Sequence, residues 1–255
     1  MSMRFANRVV VVTGGASGIG LAAVAAFLEE GASVLAADID EARLEAAVEA
    51  APREYAKRLT PVVCDSGNAR QVAAMVGHAM NRLGGLDVLV TSAGIVRRAP
   101  FSEISEADFD AILRSNLKGT FLCVQAAAHA MGECIARGRD TLGSIVMLAN
   151  DTSFSALPHM VPHAIAAAGV ERMARSLARP LAQAGIRINA LGAGPTDTPM
   201  LARAAGNGKT ALNAGLARQA QGRVLAPEDV AQAVLYLASA DSATITGQTI
   251  GTGAD

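Results

Sequence analysis

The sequence predicts an α/β domain built on a doubly wound, seven-stranded parallel sheet with helices on both faces. Three observations carry that prediction. Short β-branched runs alternate with longer Ala-rich stretches along the chain, the pattern of a parallel sheet covered on both sides. Six strand–helix alternations are followed by a seventh strand, which departs from the eight-fold repeat of a barrel. The first strand runs directly into a glycine-rich turn, TGGASGIG at 13–20. With 255 residues, 51% of them hydrophobic, the chain is long enough for one large core, so one domain over 1–255 is expected.

The strands read as 8–13 (RVVVVT), 32–38 (ASVLAAD), 59–65 (LTPVVCD), 86–92 (LDVLVTS), 144–149 (SIVMLA), 186–191 (IRINAL) and a short last one at 247–251 (GQTIG). Helical periodicity occupies about 18–30, 40–50, 68–83, 106–136, 161–183 and 227–239. Between 196 and 225, Gly and Asn punctuate weak helical segments. A loop this long in a compact domain is read as a flap over a substrate site.

A formal net charge of −1 and the lack of a basic block argue against nucleic acid as partner. A small molecule is the expected ligand. The amino-terminal MSMRFANRVVVVTGG has only a four-valine apolar run, too short for a secretory signal, and no stretch is long enough to span a membrane. Cys64, Cys123 and Cys134 lack Cys-x-x-Cys spacing, so free thiols in a reducing cytoplasm are expected. His129 and Cys134, five residues apart, do not share a helix face, so no metal is expected.

In TGGASGIG, Gly14 allows the turn out of the strand, while Gly18 and Gly20 admit close backbone approach to a pyrophosphate at a helix N-terminus. This is the dinucleotide signature of a Rossmann fold. Asp38 ends the second strand eighteen positions after Gly20. An acid there accepts the ribose hydroxyls and repels a 2′-phosphate, which selects NAD over NADP. Asp38 could instead cap the next helix, a task Asp40 can equally perform. Asp65 would sit beside the adenine edge.

Taken in order, TGGASGIG, Asp38, CDSGN (64–68), SAG (92–94), NLKGTF (116–121), GSIV (143–146), GIRINAL (185–191), GPTDTPM (194–200), RVLAPEDVA (223–231) and ITGQT (245–249) resemble the short-chain dehydrogenase/reductase family over essentially the whole chain. The resemblance implies a cofactor cradle of Gly14, Ser17, Gly18, Ile19, Gly20, Asp38, Ile39, Asp65, Ser66, Ser92, Ala93, Gly94, Pro195, Thr196 and Thr198, the Thr198 hydroxyl holding the carboxamide. It also implies a homotetramer or homodimer through the helices at 106–136 and 161–183.

The family's chemistry, as the resemblance implies it, uses a tyrosine, a lysine four residues later, a serine thirteen residues before the tyrosine and an asparagine on the preceding helix. Alignment on GSIV and GIRINAL puts these roles at His163, Ala167, Asn150 and Asn116. Only Asn116 keeps the family's residue. The two tyrosines of the chain, Tyr55 and Tyr236, are followed four residues later by Leu59 and Ala240, so no Tyr-x-x-x-Lys exists anywhere in it.

A coherent alternative is visible. A phenol with a pKa near ~10 needs a cation to exchange protons at neutral pH, whereas an imidazole near ~6.5 does not. A lysine one turn away would only depress the imidazole. His163 is thus the candidate acid/base, Asn150 the candidate substrate-orienting amide, and Asp151 or His159 a candidate partner for the ring. Residues 92–98, 150–160 and the flap would wall the substrate pocket, with Leu157, Met160 and Met200 apolar and Arg97 and Arg98 either solvated or anion contacts at the mouth. Three functions fit: an NAD-linked oxidoreductase using imidazole on a small apolar alcohol or carbonyl, a redox-neutral lyase or epimerase, and an NAD-binding protein without catalysis.

Overall fold

The computed structural model describes residues 3–150, 159–205 and 223–253. Its strands are β1 (Val9–Thr13), β2 (Ser33–Asp38), β3 (Leu59–Val63), β4 (Val88–Thr91), β5 (Ser144–Asn150), β6 (Arg187–Ala193) and β7 (Thr249–Thr252). They form one sheet in the order β3-β2-β1-β4-β5-β6-β7, all pairs parallel. Between them lie α1 (Gly18–Glu29), α2 (Glu41–Ala50), α3 (Ala69–His78), α4 (Glu106–Ile112), α5 (Gly119–Ala136), α6 (Val161–Gln183), α7 (Pro199–Ala205) and α8 (Pro227–Ala238). This is the doubly wound Rossmann arrangement that the alternation of strand and helix predicts.

The four valines of β1 show why both faces are dry. Side chains alternate across a strand, so Val9 and Val11 join Met75, Leu89, Met131 and Ile145 under α3, α5 and α6. Val10 and Val12 join Phe27, Val34, Val234 and Leu235 under α1 and α8. Each such side chain removed from water contributes roughly 1.5–3 kcal/mol. A strand with no polar face can only sit in the middle of a sheet covered on both sides.

Two helices read as uniform from their periodicity change pitch. α3 continues into a π turn at Ala79–Leu83, and α4 passes through a π turn at Leu113–Lys118 into α5. The second wide turn carries Asn116, and such turns recur at functional sites. β6 runs to Ala193, two residues further than expected, because Ala193 still pairs with Asn150. The base of the expected flap is stapled: Thr196 and Leu225 form a parallel bridge, the Asp197 N–H donates to the Leu225 carbonyl at 2.9 Å and the Leu225 N–H to the Pro195 carbonyl at 2.9 Å. α7 follows at once, and residues 206–222 of the flap lie outside the described residues.

Candidate active site

β1 lies between β2 and β4, so successive connections diverge on either side of it and a crevice opens at the carboxyl ends of the strands. A cleft of about 590 Å³ runs along this line, walled by the β1–α1 turn, the ends of β2 to β6, the Asn116 turn, α6 and α7.

At one end the glycine turn is held by backbone against backbone. Gly14 has φ +68°, and a Cβ there would meet the Ala93 nitrogen at 2.8 Å. A Cβ on Gly20 would collide with the Gly14 carbonyl oxygen. No side chain fits at either position, which leaves a cradle of main chain at the start of α1. Ser17 occupies the N-cap of α1 without spending its hydroxyl on the helix, and the first-turn N–H groups lack intrahelical partners. These are the donors a pyrophosphate needs.

Asp38 is fixed at the end of β2: its carboxylate accepts the Ala16 N–H at 3.2 Å and the Asp40 N–H at 3.1 Å. Asp40 caps α2 by accepting the Arg43 N–H, so the capping task falls to Asp40 and Asp38 faces the cleft. Exposed Ile39 forms the rim beside it. Asp65 lines the cleft as expected, but its carboxylate is engaged by Arg114 at 2.5 Å and the Gly67 N–H at 2.9 Å. The position expected beside an adenine edge is thus an ion pair.

Gly18, Ile19, Ser66, Ser92, Ala93, Gly94 and Thr198 also line the cleft, whereas Gly20, Pro195 and Thr196 do not. Gly20 supports the turn from behind, and the buried Thr196 hydroxyl donates to the Gly194 carbonyl at 2.8 Å. The Thr198 hydroxyl donates to the Thr196 carbonyl at 3.2 Å and accepts the Leu201 N–H at 3.2 Å. Its proton is therefore committed to the α7 entry, and it can offer a ligand only an acceptor.

At the other end, His163 lies in the first turn of α6, only 7% exposed, with its ring in the cleft wall. Its Nδ1 is 3.0 Å from the Asn116 amide nitrogen and 3.2 Å from the Ile95 carbonyl oxygen. Burial pushes its pKa below the ordinary histidine value, and the Ile95 carbonyl, which can accept the Nδ1 proton of the charged ring, opposes that shift. No hydrogen bond joins His159 to His163 among the described contacts; His159 instead accepts the Ala99 N–H through its carbonyl at 3.0 Å. Among the described residues, the groups at the ring are Asn116 and the Ile95 carbonyl; Asp151 lies outside them. Asn116 also clasps that segment, its oxygen accepting the Ile95 N–H at 2.8 Å and its nitrogen donating to the Ile95 carbonyl at 2.9 Å.

Ala167, one turn along α6, is buried and lines the cleft together with Ala166 and Val170. The spacing 163, 166, 167, 170 is one helix face, a signal the sequence offered for Ala166 and Val170 and that was readable once His163 was chosen. Leu148, Ala193, Arg43, Arg114 and Arg203 also line the cleft, without such a signal. Met200 lines it as expected, whereas Met160 is the buried residue preceding α6. Arg97 pairs with Asp108 at 3.0 Å and Arg98 donates to the Ala204 carbonyl at 3.2 Å, so both brace the rim and neither lines the cleft. Asn150 ends β5; its side chain, Asp151 and Leu157 lie outside the described residues.

Among the described residues, no group of three or more His, Cys, Asp or Glu is placed to hold a metal ion, and no helix is long and apolar enough to cross a membrane. Cys64 borders the cleft, and burial raises its thiol to about 11. A thiol held protonated in this way is not a nucleophile at neutral pH.

Residues 14–252 match a family model described as enoyl-(acyl carrier protein) reductase. The chain is 37% identical over 249 residues to (2S)-[(R)-hydroxy(phenyl)methyl]succinyl-CoA dehydrogenase subunit BbsD of Thauera aromatica, covering 97% of this chain and 96% of that one. It is 36% identical to 3-oxoacyl-[acyl-carrier-protein] reductase FabG of Thermotoga maritima, covering 98% and 97%. Among solved structures, levodione reductase superposes with a TM-score of 0.89 at 29% identity, covering 98% of this chain and 97% of the other. With its fold, its glycine cradle and these full-length relatives, the chain belongs to the short-chain dehydrogenase/reductase family, whose members are NAD(P)-linked oxidoreductases of small molecules.

Proposed function

We propose that the chain is an NAD-dependent oxidoreductase that interconverts an alcohol and a carbonyl on a small apolar substrate, with His163 handling the proton. The observation that carries this reading is the His163 ring itself, set in the cleft wall with Nδ1 held by Asn116 and the Ile95 carbonyl. Both of those contacts are on Nδ1, and Nε2 makes no hydrogen bond to a described residue, so Nε2 is the atom assigned to the substrate oxygen.

When bound, the nicotinamide supplies the hydride exchange. The residues assigned to hold the dinucleotide are the Gly14–Gly20 turn with Ser17 for the pyrophosphate, Asp38 for the adenosine ribose, and Ile39, Asp65 and Ser66 around the adenine. Ser92, Ala93 and Gly94 face the middle of the cleft. The fixed negative charge of Asp38 favours NAD, because a 2′-phosphate there meets like charge. Asn150 is assigned to orient the substrate, and Leu148, Val170 and Met200 give the apolar wall. The relatives named above act on hydroxyl or oxo compounds, which supports a secondary alcohol or ketone as substrate class.

A competing reading is favoured by Ala167. The position where the family's pattern carries a lysine is a buried methyl group, so no cation stands beside His163 on that helix face. A chain that binds NAD without turnover, or one that uses it in a redox-neutral elimination or epimerisation, fits that feature. The test is direct: NAD and NADP binding by calorimetry, then secondary alcohols and ketones screened by nicotinamide absorbance. Turnover that His163→Gln abolishes while NAD still binds supports the proposed reading; binding without any turnover supports the second.

We also propose a homo-oligomer. Phe121 on α5 and Ile165 on α6 are each 45% exposed, and a groove lined by Leu117, Phe121 and Met173 runs between these helices. Light scattering of the purified chain decides it, and a monomer at all concentrations contradicts it.

A further inference from the structure

The Asn116 amide has one orientation. Its oxygen must accept the Ile95 N–H at 2.8 Å, and the same carboxamide lies 2.9 Å from the Ile95 carbonyl, so a flipped amide would set donor against donor and acceptor against acceptor. The group facing His163 Nδ1 at 3.0 Å is therefore an N–H donor. A ring nitrogen can receive that donor only through its lone pair.

The Ile95 carbonyl, 3.2 Å from the same Nδ1, asks the opposite: it can only accept, and suits a ring protonated at Nδ1. One atom thus faces two partners with contrary demands. The carbonyl already receives the Asn116 N–H, whereas the amide nitrogen's second hydrogen has no acceptor but Nδ1 among the described residues. Protonating Nδ1 of the neutral ring would set two N–H groups against each other at 3.0 Å, at a residue only 7% exposed.

We infer that Asn116 fixes the tautomer of His163, holding the neutral ring with its proton on Nε2, so that the resting site offers a hydrogen-bond donor to a carbonyl oxygen and not a base to a hydroxyl. Asn116 is in this sense a positioning residue. The inference rests on the proposed role of His163 as the group that meets substrate. It adds a direction: the resting ring can donate a hydrogen bond to a substrate oxygen but cannot take the proton of a hydroxyl. For His163 to take a proton at Nε2, its own proton must first sit on Nδ1, where the Ile95 carbonyl receives it. The wrong tautomer at such a position is costly, as the loss of roughly 10⁴ in turnover on replacing the orienting aspartate of a serine protease by asparagine shows.

The test is ¹⁵N NMR of the four histidines in the full-length protein, at a pH well above the ordinary histidine value of about 6.5. The His163 signals are identified by their loss in His163→Gln. The expected wild-type spectrum has Nε2 in the protonated range and Nδ1 in the unprotonated range. In Asn116→Asp a carboxylate keeps the Ile95 N–H contact, loses the bond to the Ile95 carbonyl and faces Nδ1 with an acceptor, and the two shifts are expected to exchange. Asn116→Ala, which leaves the Ile95 carbonyl as the partner of Nδ1, moves them the same way.

A wild-type ring protonated at Nδ1 overturns the inference by itself, whether or not either variant folds. So do variants that fold and keep the wild-type shifts. Because the spectrum is read without substrate, an absence of turnover would count against the dehydrogenase reading and leave the tautomer result standing.

Discussion

The two ends of the cleft differ in how much of the family's design they keep. From Gly14 to Asp38 the structure retains what a dinucleotide needs: a Cβ at Gly20 has no room, and the Asp38 carboxylate is pinned by two backbone N–H groups. At the start of α6, the other end of the cleft, the helix is regular, yet its side chains are His163 and Ala167. Binding depends on backbone geometry that few residues allow, whereas proton chemistry depends on two side chains that can be exchanged without touching the sheet. The halves can therefore diverge separately, and each can be attacked alone.

The largest effect is expected at the chemical end. His163→Gln is expected to lower turnover by about 10²–10⁴, the range typical of a lost acid/base group, with NAD affinity unchanged within a few-fold. Parallel kinetics and calorimetry check it, and a matching loss of affinity would erase the division between the halves. Next comes Gly20→Ala. Forcing a methyl against the Gly14 carbonyl costs about 1–3 kcal/mol, read as a lower melting temperature and weaker NAD binding.

Asp38→Ala is expected to shift the NAD/NADP affinity ratio toward NADP by about tenfold or more, the scale of a removed like-charge contact. An unchanged ratio in competition calorimetry would mean that Asp38 does not face the ribose. The smallest effect concerns pH and stability. The His163 pKa is lowered by burial, so as pH falls through and below about 6.5 the unfolded chain takes up a proton that the folded one resists. The wild type is thus expected to lose melting temperature in this window relative to its value above it, and His163→Gln to lose less. Equal slopes would show that the ring is not held neutral by the fold.

Much of this was legible in the sequence, for particular reasons. The valine run of β1 has no polar face, so it had to lie mid-sheet. TGGASGIG follows a strand and opens a helix, the context that makes the motif specific. His163 was found by its place in the chain, and its helix face then marks Ala166 and Val170.

What stayed hidden was side-chain pairing across long separations. Nothing in local sequence says that Arg114 closes on Asp65, that Arg97 and Arg98 brace the rim, or that the Thr198 proton goes to the chain entering α7. Of the two neighbours read as partners for the His163 ring, Asp151 lies outside the described residues and His159 makes no hydrogen bond to it. The structure supplies Asn116 and Ile95, brought from other elements by the π turn and the end of β4, and a wide turn of that kind leaves no periodic signature.

The account rests on a ring that meets the substrate while the cradle holds the cofactor. The measurement that tests it most directly is NAD affinity and alcohol or ketone turnover determined on the same preparations of wild type and His163→Gln. The expected result is near-equal affinity with turnover present in the first and lost by at least about a hundredfold in the second. Equal turnover in both, or NAD bound by both with turnover in neither, would contradict it.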